Sequence, residues 1–108
     1  AGLVLGAEIT GWQRRGADEL TCETFIGGHL VGEGGAASIA GGLLAALAFA
    51  LSRCARRGHP PKRGMLVTTG ASTGIHDIVA GQRSRVSFGQ WGEIHCNAVV
   101  AQPAGERA

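Results

Sequence analysis

Charged residues are scarce in this sequence, and the positive ones are spread along it. Charged residues make up 17% of the chain, and the formal net charge is +2. A nucleic-acid-binding domain usually carries a basic stripe, so this balance argues against a nucleic-acid partner. Cysteine is sparse as well: Cys22, Cys54 and Cys96 stand far apart, with no C-x-x-C or C-x-x-H spacing. This excludes a structural zinc site and favours free thiols in a reducing cytoplasm over a disulfide framework.

Metal-ligand clusters and long apolar segments are also lacking. The four histidines are scattered, the acidic residues are isolated, and no Glu-x-Glu pair occurs. We therefore predict no divalent-metal site within this chain. The stretch at residues 36–52 carries no charge, but it is only 17 residues of mostly Ala, Gly, Ser and Leu. Because a bilayer requires about 20 strongly apolar residues, this stretch favours a buried core helix over a membrane span.

The order of the remaining patterns predicts one α+β domain over the 108 residues. A helix is predicted over residues 36–57, with Ser38 as its N-cap, arginines in its last turn and Gly58 as its end. Gly27-Gly28 between two β-prone runs predicts a hairpin. Strands are predicted at residues 1–6, 20–26, 29–31, 65–69, 85–88 and 93–100. Strands, one long helix and then strands argue for an antiparallel or mixed sheet.

The loop G-A-S-T-G at residues 70–74 leaves three interpretations open. It matches the G-x-S-x-G of a hydrolase nucleophile elbow, with Ser72 as the nucleophile, His76 or His95 as its base and Asp77 orienting the base. Alternatively, the hydroxyls of residues 68, 69, 72 and 73 and the backbone N–H groups beside them form a cradle for a small anion such as a carboxylate. In the third interpretation, the hydroxyls only form hydrogen bonds with backbone groups of the same loop.

A second glycine-rich motif lies before the predicted helix. Residues 32–37 fit G-x-G-x-x-A, the spacing with which a backbone approaches a pyrophosphate at a helix N-terminus. A dinucleotide site also requires an acidic residue about 20 positions further on, at the end of a second strand. Residues 53–57 are basic or small instead, so a simple strand-to-helix connection is favoured.

Taken together, these motifs resemble the C-terminal part of the 2-keto-4-pentenoate hydratase and 4-oxalocrotonate decarboxylase family, within the fumarylacetoacetate hydrolase superfamily. That family shows, in order, A-G-x-V-L-G, G-E-G, an apolar helix, R-A-G-D-I-V-L-T-G-S-L-T-G, A-P-G-D and F-x-G-L-G-E-V. The corresponding segments here are residues 1–6, 31–34, 39–49, 62–74, 79–82 and 88–94. The family's H-P-L-N is replaced by residues 41–44, and two of its aspartates by Met65 and Gln82.

The resemblance implies a β-rich mixed sheet or roll with one long core helix, the whole of residues 1–108 being the C-terminal part of such a domain. It implies a cytoplasmic, oligomeric lyase that acts on small 2-oxo acids from aromatic ring-cleavage degradation, with Mg²⁺ or Mn²⁺ as cofactor. The metal ligands lie in the family's N-terminal half, so they are expected outside this chain. Thr69, Gly70, Ala71 and Ser72 are the residues expected to bind the substrate carboxylate.

The partner expected for this chain is an N-terminal half or a companion subunit. The chain begins at Ala1 without a methionine, which fits a processed, split or partial polypeptide. Neither a nucleic-acid nor a membrane partner is expected. Two alternatives remain: a non-catalytic subunit that keeps the fold for assembly, and a serine hydrolase that uses Ser72.

Overall fold

A four-stranded antiparallel sheet organises the chain. The structure is a computed structural model that describes residues 2–102. The strands are β1 (Thr21–Ile26), β2 (His29–Gly35), β3 (Arg83–Ser87) and β4 (Glu93–Asn97), and the helix is α1 (Gly42–Arg56). Their order across the sheet is β2-β1-β3-β4, and each neighbouring pair is antiparallel. The expected α+β class is confirmed, with an antiparallel sheet.

The β1–β2 hairpin turns at the two adjacent glycines, as the sequence predicts. Gly27 and Gly28 have φ values of 59° and 81°, and Ile26 pairs with His29 across the turn. Two central residues with positive φ are what a tight primed turn requires, and glycine adopts that conformation without steric cost. β2 continues to Gly35, so the glycine-rich residues 32–35 belong to a strand and do not form a phosphate-type loop before the helix.

The buried part of the described chain is small and lies along β1. Burial alternates along that strand at Cys22, Thr24 and Ile26, and Ala36 is buried beside it. The accessible surface is 8540 Å², whereas a compact monomer of 11.0 kDa exposes about 5,600 Å². The radius of gyration is 16.6 Å against about 13 Å expected for this length. Much apolar surface is therefore left open to solvent.

Helix α1 begins later than predicted and is not a core helix. Residues 36–38 form a 3-10 turn, and the Ser38 hydroxyl accepts a hydrogen bond from Gly35 N–H at 3.1 Å. The N-cap of α1 is therefore Gly41 (φ 76°) and not Ser38. The predicted end of the helix at Gly58 is confirmed. Gly58 has a left-handed backbone conformation (φ 81°), and the His59 N–H donates to the Cys54 carbonyl.

No residue of α1 is buried, although the helix is almost entirely apolar up to Ser52. Leu44 is 62% exposed and Phe49 is 65% exposed. The contacts of α1 with other helices and strands are mainly with the adjacent 3-10 turn (Ala36–Ser38), because no strand of the sheet packs along its length. The helix has 15 residues, and no helix within residues 2–102 is long and apolar enough to cross a bilayer.

Two predicted strands are absent from the described chain. Residues 2–6 and 65–69 have no regular secondary structure, and β4 ends at Asn97 although the prediction continued to Val100. The apolar side chains of Leu5 and Leu66 are 67% and 65% exposed. The composition of these segments favours strands, but a strand forms only beside a partner, and no neighbouring segment pairs with them.

Candidate functional site

A cavity lies between the start of β1, the start of α1 and the loop that precedes residue 74. Its volume is about 450 Å³, within the range typical of small-molecule sites. Its walls are mostly apolar and include Trp12, Leu43 and Trp91. The polar lining consists of Glu8, Thr21, Cys22, Thr69 and Ser72. The cavity thus combines mostly apolar walls with a few hydroxyl-bearing residues.

Two of the four residues predicted to bind substrate line this cavity. Thr69 and Ser72 do so, whereas Gly70 and Ala71 are not among the lining residues. The N–H of Gly70 donates to the Thr68 hydroxyl at 3.2 Å, so it is used within the loop. The anion-cradle and self-satisfied interpretations therefore each describe part of the loop: two hydroxyl-bearing residues line the cavity, and one backbone donor is already paired.

Ser72 is not placed beside a general base. Its hydroxyl lies 3.5 Å from the Cys22 sulfur, and the hydroxyl or the thiol can be the donor. The Nε2 of His76 lies 3.0 Å from the Thr73 carbonyl oxygen, to which it donates in the tautomer protonated at that atom. The other candidate base, His95, lies on β4 beside Glu93. No hydrogen bond joins Ser72 to a histidine within residues 2–102, so the pairing that activates a serine nucleophile is missing.

Several cavity residues were not predicted from the sequence. Glu8 and Trp12 lie in a polar stretch that carried no motif, and Cys22 was interpreted only as a free thiol. All three cysteines are free, with Cys22 buried and Cys96 exposed. The alternation of Cys22 with Thr24 and Ile26 along β1 was the available signal that Cys22 points inward.

The clearest electrostatic feature lies outside this cavity, across strands β3 and β4. The Arg85 guanidinium donates a hydrogen bond to Glu93, and this bond lowers the pKa of Glu93 below its ordinary value of 4.5. Arg85 also stacks on the ring of Phe25, 4.0 Å from its centroid. Since the side chains of Arg85 and Glu93 are partly exposed and neither lines the cavity, this cluster belongs to the sheet surface.

No group of three or more His, Cys, Asp or Glu side chains in the described chain is arranged to hold a metal ion. Glu8 is the single carboxylate along the cavity wall there. Comparison of the chain with protein-family models, with curated protein sequences and with solved structures found no match.

Proposed function

We propose that this chain is part of a metal-dependent lyase of the hydratase or decarboxylase type that acts on small 2-oxo acids. Its contribution is the loop at residues 69–72, whose hydroxyls orient the substrate carboxylate. The observation that carries this function is that Thr69 and Ser72 both line a mostly apolar cavity of about 450 Å³. The order of motifs along the sequence supports the same function.

The chemistry of the cavity suits binding and orientation. A hydroxyl group can donate one hydrogen bond, so Thr69 and Ser72 together offer two donors to a carboxylate. The apolar walls formed by Trp12 and Leu43 lower the local dielectric, which strengthens such hydrogen bonds. Within residues 2–102, neither hydroxyl is hydrogen-bonded to a base that would make it a nucleophile, so their role is to hold the substrate.

The described residues do not fit the metal that such a lyase requires. Mg²⁺ and Mn²⁺ prefer several oxygen ligands, and Glu8 alone in the described cavity wall cannot supply them. The cation and the groups that transfer protons are therefore assigned to a companion polypeptide, an N-terminal half or a separate subunit, within a cytoplasmic assembly.

The open surface of the chain supports such a companion. A helix that is apolar on all sides is normally buried, yet α1 has no buried residue here. The apolar segments at residues 3–5 and 65–67 are exposed as well. A companion that covers these surfaces would supply both the missing contacts and the missing ligands.

The experiment is a titration of the ¹⁵N-labelled chain with 2-oxopentanoate, followed by NMR. We expect the amide signals of residues 69–72 to shift, with a Kd on the order of millimolar, because a few hydrogen bonds contribute about 4 kcal/mol at most. Thr69→Val should abolish the shifts. Thr10→Val, which removes an exposed hydroxyl that does not line the cavity, should retain them.

Two outcomes would count against this function. If only amide signals from another part of the chain shifted, 2-oxopentanoate would bind away from residues 69–72. Tight Mg²⁺ binding by the chain alone, measured by calorimetry, would show that the cation is not supplied by a companion.

The second candidate is a non-catalytic assembly subunit. It is favoured by an apolar helix with no buried residue and by the absence of a serine–histidine pair within residues 2–102. It predicts that 2-oxopentanoate produces no shift at residues 69–72 in the wild type, so the same titration separates the two functions.

A further inference from the structure

Gly32 and Gly34 of β2 are required by the close approach of another backbone. A Cβ at Gly34 would overlap the carbonyl oxygen of Ser72 and lie 2.7 Å from its carbonyl carbon. A Cβ at Gly32 would overlap the Thr73 carbonyl oxygen and lie 2.8 Å from the His76 ring. Neither glycine has a positive φ, so backbone conformation alone does not demand glycine at either position. The two missing side chains leave the space in which residues 72 and 73 lie.

The neighbouring strand provides the polar contacts to the same two loop residues. The hydroxyls of Thr24 and Thr73 are 2.9 Å apart, and the Cys22 thiol is 3.5 Å from the Ser72 hydroxyl. In the register of the hairpin, Thr24 pairs with Gly32 and Cys22 pairs with Gly34. Each loop residue therefore rests on one cross-strand pair, with a glycine making room and a polar side chain making contact.

These contacts are the main attachment of the loop. Its other hydrogen bonds are internal, such as Gly70 N–H to the Thr68 hydroxyl and Gly74 N–H to the Ala71 carbonyl. Within residues 2–102, the two contacts to Thr24 and Cys22 are the hydrogen bonds that join residues 66–77 to the rest of the chain. Without them, nothing polar fixes the distance between the loop and the cavity.

We propose that the β1–β2 hairpin is a docking platform for the loop and that Thr24, Gly32 and Gly34 are positioning residues. By holding Ser72 and Thr73 against the sheet, they set where the Thr69 and Ser72 hydroxyls meet the cavity. The consequence for substrate binding rests on the proposed function, whereas the docking itself does not depend on any ligand.

Cys22 is a built-in reporter of this docking. It is 7% exposed and lies against Ser72, whereas Cys96 is exposed on β4. If the loop leaves the hairpin, Cys22 becomes accessible and Cys96 does not change. Alkylation of each thiol by N-ethylmaleimide, quantified by peptide mass spectrometry, therefore follows the opening of the loop without any substrate.

Thr24→Val removes the hydrogen bond between the Thr24 and Thr73 hydroxyls while keeping the shape of the side chain. We expect Cys22 alkylation to accelerate about fivefold, the factor that corresponds to one hydrogen bond of ordinary net strength. Thr24→Ser retains the hydroxyl and should stay within about twofold of the wild type. Gly34→Ala should accelerate it about tenfold or more, because the new Cβ displaces Ser72. Gly2→Ala is the matched control, since nothing lies within 4 Å of Gly2.

Either of two results would contradict the proposal that the β1–β2 hairpin holds the loop. One is unchanged Cys22 alkylation in Thr24→Val and in a folded Gly34→Ala variant, with folding checked by circular dichroism. The other is equal acceleration in Thr24→Val and Thr24→Ser. If Gly34→Ala does not fold, the threonine pair alone decides. Because no 2-oxo acid is present, failure of the proposed function would leave these rates unaffected.

Discussion

The exposed helix makes a quantitative prediction about the stability of the isolated chain. Replacement of Leu44 or Phe49 by Gln removes a large apolar side chain from α1 while keeping a good helix-forming residue. Leu44 is 62% exposed and Phe49 is 65% exposed, so only about a third of each side chain is withdrawn from water on folding.

The expected decrease in the free energy of unfolding follows from that fraction. Burial of a whole Leu or Phe side chain contributes about 1.5–3 kcal/mol, so a third of it contributes about 0.5–1 kcal/mol. Each Gln variant should therefore lower the free energy of unfolding by about 1 kcal/mol or less. Ile26, which is 9% exposed, is the positive control: Ile26→Ala should lower it by about 2–5 kcal/mol.

The assay is urea unfolding of the chain followed by circular dichroism, with sedimentation to check that each variant has the same oligomeric state. A loss of about 3 kcal/mol or more in either Gln variant would refute the reasoning, because it would mean that α1 packs in a core of the free chain. A small loss, together with weaker self-association of the Gln variants, would identify the helix as a surface that another polypeptide covers.

Three further predictions concern the sheet and the loop. Glu23 and Glu33 are directly opposite each other, so Glu33→Gln should raise the free energy of urea unfolding by about 0.2–1 kcal/mol, and less in high salt. The hydrogen bond from Arg85 lowers the pKa of Glu93 from 4.5. The stabilisation from this hydrogen bond is therefore present above pH 4.5 and is lost as the pH falls through the lower pKa of the folded state. Glu93→Gln should remove this part of the pH dependence of the free energy of unfolding, measured in denaturant titrations. Ser72 should not react with a fluorophosphonate probe in a gel assay, and labelling that disappears in Ser72→Ala would contradict the geometry described for the loop.

Features fixed by local backbone conformation could be predicted from the sequence. The hairpin at Gly27-Gly28 and the helix end at Gly58 both depend on positive φ, which glycine adopts freely, and both are present. The start of α1 could not be predicted in the same way. Ser38 is a good N-cap residue, but its hydroxyl caps a separate 3-10 turn, and the helix begins only after Gly41.

The candidate site was predictable only in part, for a related reason. Thr69 and Ser72 stood out because hydroxyls cluster in one short loop. Glu8, Trp12 and Cys22 come from segments about 50 or 60 residues away and carry no local signature of a cavity. These segments meet only in the tertiary structure, which leaves no local pattern in the sequence.

The glycines of β2 illustrate why one motif can support several functions. G-x-G before a helix lets a backbone approach a phosphate, and the same absence of side chains lets it approach another backbone. At Gly32 and Gly34 the approaching groups are the carbonyls of Thr73 and Ser72. The dinucleotide interpretation had no second strand with an acidic end, whereas the loop contact uses both glycines and both facing residues of β1. The apolar segments at residues 2–6 and 65–69 are the reverse case. Their sequences favour strands, but no other segment of residues 2–102 pairs with them, so their structure depends on what lies against them.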